Sequence, residues 1–242
     1  MMMQDKKQAF KDLQRFKLFT DSLDITFWLD WGTLLGAVRE GKFIEWEQDI
    51  DLGFKKEDLE KIYYFKEDLE KRGFRLFPKP EGYAAIAIGR TSKIDLGCYE
   101  IKGDLAIQYC EEPNKLGDMF DLILFILNKY DAEYKYETML DINKIKRMIT
   151  IISYIPTEVR QNMIKIFEKL NQFCGIANKH TVTNNKKYFE KLKKKKFYGK
   201  YFYVPSDTIE YIESIYGKDW QTPKNYLEGN KWEEFQNIEV KT

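Results

Sequence analysis

The sequence of 242 residues carries 40 basic and 39 acidic side chains, so its net charge is close to zero and no overall field favours nucleic acid as a partner. Hydrophobic residues account for 43% and charged residues for 33% of the chain, which is typical of a globular protein with a soluble surface. The three cysteines lack CxxC spacing and indicate neither a disulfide framework nor a structural zinc site. We therefore expect reduced thiols in a cytoplasmic protein.

The first elements of the chain lead into a Gly-Thr pair. Apolar residues at helical spacing predict a helix from about Lys6 to Leu23, and Ile25–Leu29 predicts a strand. Thr33 is expected to cap a short helix from Leu34 to Arg39, whose N-terminus would attract phosphate through its backbone N–H groups and the helix dipole. Gly32 suits this role because a side chain there would obstruct the approach of a phosphate.

Carboxylates recur on two predicted strands. Asp49 and Asp51 flank Ile50, and because side chains alternate along a strand, the two carboxylates share one face. Lys93–Gly97 predicts a second strand with Asp95 between two apolar residues, so pairing of the strands would bring three carboxylates together. Mg²⁺ or Mn²⁺ at such a site takes carboxylate oxygens and is completed by substrate phosphates. The sequence therefore predicts a metal site for phosphate chemistry.

The remaining elements are predicted from periodicity and turn residues. A helix is expected from Lys55 to Arg72 and ends at Gly73, strands are expected at Phe74–Phe77 and Tyr83–Ile88, and a turn at residues 78–82. Between Ile142 and Phe173, apolar residues at helical spacing predict two helices joined near Pro156.

A lysine-rich segment follows, with eight lysines and one acid between Thr183 and Lys200. It is either a solvated face or a surface, Lys186–Lys200, that receives a polyanionic acceptor or the inner face of a membrane. The longest apolar run, Leu122–Leu127, is far shorter than the ~20 residues that span a bilayer. Nucleic acid is not expected here because no recognition motif accompanies the lysines.

The order of the motifs resembles the nucleotidyltransferase superfamily and, within it, the LicD and fukutin-related phosphotransferases. The family pattern GTLLGxxR is matched by Gly32–Arg39, and the pattern IPWDDDIDLG is similar to Ile44–Gly53. Glu45 stands in place of Pro, Glu47 in place of Asp, and Gln48 in place of an acid, on the face we expect to lie opposite the aspartates.

A second patch near the C-terminus is similar to the closing pattern of that family, with an aromatic-Pro turn followed by Tyr-Gly, Trp and Pro at Phe202–Pro205, Tyr216–Gly217, Trp220 and Pro223. The resemblance implies an α+β fold with a nucleotidyltransferase-like mixed β-sheet flanked by helices and a mainly helical C-terminal half. We expect a catalytic core at residues 1–110 and a substrate-specificity region at 111–242, with the closing motif packing back on the core.

The family resemblance also implies a reaction. A phosphorylated small alcohol, such as phosphocholine or a polyol phosphate, would pass from a CDP-activated donor to a sugar hydroxyl of a glycan or lipid-linked glycan, with release of CMP. Asp49 and Asp51 would hold the metal, and Asp95 would either complete a two-metal site or accept the proton of the acceptor. The alternative is transfer of NMP from an NTP to a small molecule or a protein.

Two further residues are candidates for contact with the donor. Arg39 either clamps a donor phosphate or pairs with Glu45 or Glu47. Trp46 either stacks on a base or sugar or belongs to the core. With Gly32 and Thr33, these residues form the predicted donor-binding set.

Overall fold

The computed structural model describes residues 6–47, 49–78, 84–89, 92–127, 142–174 and 176–223. Gln48 and most of the turn predicted at residues 78–82 lie outside these ranges. The helices are α1 Lys6–Ser22, α2 Trp31–Arg39, α3 Lys56–Tyr64, α4 Lys66–Lys71, α5 Lys115–Leu127, α6 Ile142–Ile152, α7 Thr157–Cys174, α8 Lys187–Glu190 and α9 Thr208–Tyr216. The strands are β1 Phe27–Leu29, β2 Asp49–Lys55, β3 Arg75–Pro78, β4 Ala84–Ile88, β5 Lys93–Lys102, β6 Leu105–Pro113, β7 Ile176–Asn185, β8 Leu192–Phe197 and β9 Lys200–Pro205.

The described strands form a mixed sheet in the order β3-β4-β5-β2-β1-β9-β8, while β6 pairs with β5 and β7 pairs with β6. The central strands β2 and β5 are parallel, and β1 and β4 are antiparallel to their central neighbours. This arrangement confirms the predicted fold class, a mixed sheet flanked by helices. After residue 110, helices account for more of the described residues than strands do, although the strands β7, β8 and β9 had no sequence-based prediction.

The helix predicted from Lys55 to Arg72 is two helices, α3 and α4, with a break at Phe65. The repeated KEDLEK segment explains the break. In one continuous helix, Leu59 and Leu69 would point in directions about 80° apart, since each residue turns the helix by about 100°. The break allows both leucines to be fully buried. The two helices predicted near Pro156 are confirmed as α6 and α7.

The chain divides into two compact units, Met1–Cys110 with Thr181–Lys241, and Glu111–His180. In the first unit, the face of α1 that carries Leu13 and Phe16 packs into a core with Phe27, Trp28 and Phe54. In the second unit, α5 packs against α6 and α7, and the rings of Phe120 and Phe167 lie 6.0 Å apart. Among the described helices, none has the length and apolar character needed to cross a bilayer.

Candidate functional site

The parallel register of β2 and β5 brings the predicted carboxylates together. Asp51 lies directly opposite Asp95, and Asp49 lies opposite Lys93. The alternate positions on both strands, among them Ile50 and Leu96, are buried with at most 1% exposure on the other face. One face of these two strands is therefore polar and the other belongs to the core, as expected when side chains alternate along paired strands.

Glu47 joins this cluster, which the sequence did not predict. Oxygen atoms of Glu47, Asp49 and Asp51 all lie within 4.8 Å of one another. A side chain at Gly32 would place its Cβ 2.3 Å from Oε1 of Glu47, so the absence of a side chain there leaves room for the glutamate. The available signal was that Glu47 keeps the acidic charge of the motif at that position.

The first turn of α2 holds Asp51 through both of its backbone groups. The backbone N–H of Asp51 donates to Oγ1 of Thr33 at 2.9 Å, and its carbonyl accepts from the N–H of Asp30 at 3.1 Å. The prediction that Thr33 caps the helix was wrong. The helix begins at Trp31, and Asp30 is the N-cap because its Oδ1 accepts from the N–H of Trp31 at 3.0 Å. The hydroxyl of Thr33 is instead used by the neighbouring strand.

Asp30 is fully buried, and two tyrosines donate to its carboxyl group. The hydroxyls of Tyr99 and Tyr211 each lie 2.7 Å from one of its oxygens and 3.0 Å from each other. Burial raises the pKa of Asp30 to about 6, although these hydrogen bonds act in the opposite direction. Because Tyr99 belongs to β5 and Tyr211 to α9, these hydrogen bonds connect the N-cap of α2 to both elements.

Lys93 provides a positive charge inside the cluster. Its Nζ lies 3.1 Å from Oδ2 of Asp49 and 2.7 Å from Oδ2 of Asp95. Burial lowers the pKa of Lys93, but the two carboxylates outweigh burial and the pKa lies above its usual range. Lys93 had no predicted role, although a residue two positions before Asp95 on a strand must share its face.

Burial and neighbouring charges both shift the pKa values of the carboxylates on β2. Burial and then the Asp95 charge raise the pKa of Asp49, while Lys93 lowers it. Burial raises the pKa of Asp51 well above its usual value, and the Asp49 and Glu47 carboxylates raise it further. Oδ1 of Asp95 is buried and has no hydrogen-bond partner among the described residues. Such a group is costly unless a ligand completes it, so this arrangement suits a bound cation or a hydrogen-bond donor.

Arg39 and Trp46 lie against each other. The guanidinium of Arg39 is 5.7 Å from the centroid of the Trp46 ring and pairs with Glu40 at 2.8 Å. The ion pair is thus with Glu40 and not with Glu45 or Glu47, the two partners considered from the sequence. Trp46 is partly buried and packs against the core. Donor contacts of Gly32, Thr33, Arg39 and Trp46 stay predictions.

The lysine-rich segment is divided between paired and exposed side chains. Lys186 pairs with Asp104 at 3.2 Å and Lys187 pairs with Glu210 at 2.7 Å. On β8, the last strand of the described sheet order, Lys193, Lys194 and Lys196 are exposed. Alternation along the strand directs neighbouring lysines to opposite faces, so these side chains do not form one patch.

Two solved structures of the antibiotic-resistance factor ANT(2'')-Ia are similar to this chain. The crystal structure with adenylyl-2''-tobramycin has 14% sequence identity and a TM-score of 0.32, with 68% of this chain and 98% of that chain covered. The solution structure has 11% identity and a TM-score of 0.34, with 70% and 100% covered.

Proteins of three organisms are similar in sequence to parts of this chain. An uncharacterised protein of Rickettsia typhi is 25% identical over 177 residues, which are 71% of this chain and 51% of that protein. Ribitol 5-phosphate transferase FKRP of Mus musculus and of Homo sapiens is 44% identical over 53 residues, which are 22% of this chain and 11% of FKRP. This chain therefore spans about half of the Rickettsia protein and about a tenth of FKRP.

The family described as "LicD/FKTN/FKRP, nucleotidyltransferase domain" matches residues 24–88. The matched residues include β1, α2 and β2, and thus Glu47, Asp49 and Asp51 of the carboxylate cluster. The resemblance predicted from the sequence is confirmed: residues 24–88 match the LicD/FKTN/FKRP nucleotidyltransferase domain family.

Proposed function

We propose that this protein is a metal-dependent phosphotransferase that moves a phosphorylated small alcohol from a CDP-activated donor to a sugar hydroxyl of a glycan, with release of CMP. The observation that carries the proposal is the parallel register that sets Asp51 opposite Asp95, with the Glu47 and Asp49 carboxylates beside Asp51. The match of residues 24–88 to the LicD/FKTN/FKRP family supports a transferase.

The three carboxylates suit a hard divalent cation as ligands. Three carboxylates with oxygens within 4.8 Å of one another supply the ligand type that Mg²⁺ and Mn²⁺ take in proteins. Burial is the main cause that raises the pKa values of Asp49 and Asp51, and neighbouring carboxylates raise them further, so a bound cation would favour the ionised forms. Glu47, Asp49 and Asp51 would therefore hold the cation, and the cation would supply charge neutralisation at the donor diphosphate.

The surrounding residues position these groups. Thr33 and Asp30 bind the backbone of Asp51 and so hold this residue in place at the site. The partner-free Oδ1 of Asp95 suits a hydrogen bond from the acceptor hydroxyl. Phosphoryl transfer depends mainly on positioning and charge stabilisation, and a rigid strand pair provides both.

The experiment compares donors by their products. Because FKRP is named for ribitol 5-phosphate, CDP-ribitol is tested first, beside CDP-choline and the four NTPs, with Mg²⁺ and a panel of methyl glycosides as acceptors. CMP release that requires a CDP-alcohol and stops in EDTA is the expected result. Pyrophosphate from an NTP without CMP would favour transfer of NMP. Absence of both products, together with no Mg²⁺-dependent binding of CDP, would contradict the proposal.

Asp51→Asn tests the same site by mutation. The substitution removes a charge at almost constant volume, so we expect turnover to fall by about two orders of magnitude or more. Asp58→Asn is the matched control, because Asp58 pairs with Lys61 within α3 and lies outside the carboxylate cluster. Circular dichroism of both variants separates a catalytic effect from a folding defect. Near-wild-type turnover by a folded Asp51→Asn variant would show that the metal assignment is wrong.

A further inference from the structure

The site contains two distinct arrangements of carboxylates. Glu47, Asp49 and Asp51 form a compact set whose oxygen atoms lie within 4.8 Å of one another. Beside it, Asp49 and Asp95 on neighbouring strands are bridged by the ammonium group of Lys93. Asp49 takes part in both arrangements. The Lys93 ammonium thus lies where a cation shared by β2 and β5 would be held.

The charges of these side chains limit how many divalent cations the site can hold. Lys93 compensates one of the four negative charges that Glu47, Asp49, Asp51 and Asp95 carry when ionised, so these five side chains together carry a charge of about −3. One divalent cation would reduce this charge to about −1. A second would make the site positive while Lys93 stayed in place, and two cations and an ammonium group within a few ångströms repel one another strongly.

We propose that Lys93 acts as a built-in cation, so that this site takes one divalent cation, at Glu47, Asp49 and Asp51, and takes no second one between Asp49 and Asp95. The inference rests on the proposed function, because it concerns the same metal site. It also separates the two roles considered for Asp95. With Oδ2 bound to Lys93, Oδ1 is the oxygen left for the acceptor hydroxyl, and Asp95 is not a ligand of a second metal.

Lys93 is thus a positioning residue, and its effect on cation binding can be measured without turnover. The experiment counts Mn²⁺ ions bound to the full chain by electron paramagnetic resonance of the free ion. It compares the wild type with Lys93→Met, which removes the charge, and Lys93→Arg, which keeps it. Lys56→Met is the matched control because Lys56 pairs with Glu100, an acid of β5 outside the cluster. Circular dichroism verifies folding, and Lys93→Gln serves as a second neutral variant.

We expect one Mn²⁺ per chain in the wild type, Lys93→Arg and Lys56→Met. In Lys93→Met, we expect two ions and a Kd for the first ion that is lower by about tenfold or more, since a positive charge near the site is removed. Two ions in the wild type would overturn the inference, and so would one ion with unchanged Kd in both neutral variants; in either case the proposed metal site stands. No Mn²⁺ binding by the wild type would overturn the metal site itself.

Discussion

Lysines occur in two contrasting settings in this protein. Lys93 is a single residue that lies between the carboxylates of two central strands, at 2.7 and 3.1 Å. Lys193–Lys196 is a run of four on β8, the last strand in the described sheet order, and most of its side chains are exposed. In the sequence the run is conspicuous and the single lysine is not.

The surroundings of a charged side chain, more than the number of like charges beside it in the sequence, decide what that charge does. A partly buried ammonium group interacts with its carboxylates through a poorly screened medium, whereas exposed charges are screened by water and salt. Lysines on a terminal strand also discourage pairing with another sheet edge. The run on β8 thus has a structural explanation that needs no ligand, while the position of Lys93 bears directly on the proposed chemistry.

The largest expected effect is on the pH dependence of stability and comes from Asp30, whose side chain is more deeply buried than that of Lys93. Its folded-state pKa of about 6 exceeds the unfolded value of 3.8, so between these pH values the native state keeps a proton that the unfolded state has released. The free energy of unfolding should therefore fall by about 3 kcal/mol as pH rises from about 4 to 6 and then level off.

The measurement is urea unfolding as a function of pH for the wild type and Asp30→Asn. The difference between them isolates Asp30 from Asp49 and Asp51, whose raised pKa values give slopes of the same sign. Tyr211→Phe removes one hydrogen bond to Asp30 and should move the fall to higher pH. Identical pH profiles for the wild type and Asp30→Asn would contradict the prediction.

A second prediction compares two glycines of α2, one beside a movable side chain of the site and one beside backbone. The added Cβ in Gly36→Ala would lie 2.6 Å from the carbonyl oxygen of Lys42, so we expect a loss of about 1–3 kcal/mol in the free energy of unfolding. In Gly32→Ala, the Cβ meets only the end of the Glu47 side chain, which can move away.

Gly32→Ala should therefore lose less stability than Gly36→Ala but bind Mn²⁺ more weakly, because Glu47 is displaced from Asp49 and Asp51. Urea unfolding gives the first quantity, and titration with Mn²⁺ gives the second. Weaker Mn²⁺ binding by folded Gly36→Ala than by Gly32→Ala would reverse the assignment of these two positions.

The smallest effect is expected for β8. Changing Lys193–Lys196 to Ser should alter the free energy of unfolding by less than about 0.5 kcal/mol, because the side chains are mostly exposed. Affinity for the CDP-donor should not change. If the run meets an anionic membrane or acceptor, binding to phosphatidylserine vesicles at low salt should weaken and become less salt-dependent.

A matched variant carries Ser at Lys56, Lys61, Lys66 and Lys71, four lysines of α3 and α4. Equal loss of vesicle binding in both quadruple variants would show an effect of net charge alone. No loss in the β8 variant would leave the run as a solvated sheet edge. A large loss of donor affinity would instead place these lysines at the nucleotide.

Much of the first 110 residues was predictable, because alternating apolar residues, Gly-Thr and the spaced aspartates each report local geometry. The pairing of Asp51 with Asp95 followed from one assumption, that their strands are neighbours. The N-cap at Asp30 was missed because Thr33 is an equally good capping type, and only tertiary contacts show that its hydroxyl binds β2.

Other features depend on contacts that no local pattern reports. The bonds of Tyr99 and Tyr211 to Asp30 join residues separated by 69 and 181 positions. Glu47 enters the cluster because Gly32 leaves space for it, which requires the packing of α2 against the chain before β2. The strand at β8 was hidden because a run of lysines lacks the alternation of apolar residues that predicts strands.

The placement of Lys93 and Asp95 on one strand has a consequence for how the sheet selects its alignment. A shift of β5 by one residue would turn its polar face into the core. A shift by two in the direction that sets Asp95 opposite Asp49 would keep the faces but separate Lys93 from Asp49. This slip would replace the attraction between Lys93 and Asp49 with repulsion between two carboxylates, so electrostatics disfavours it although the hydrophobic pattern alone would permit it.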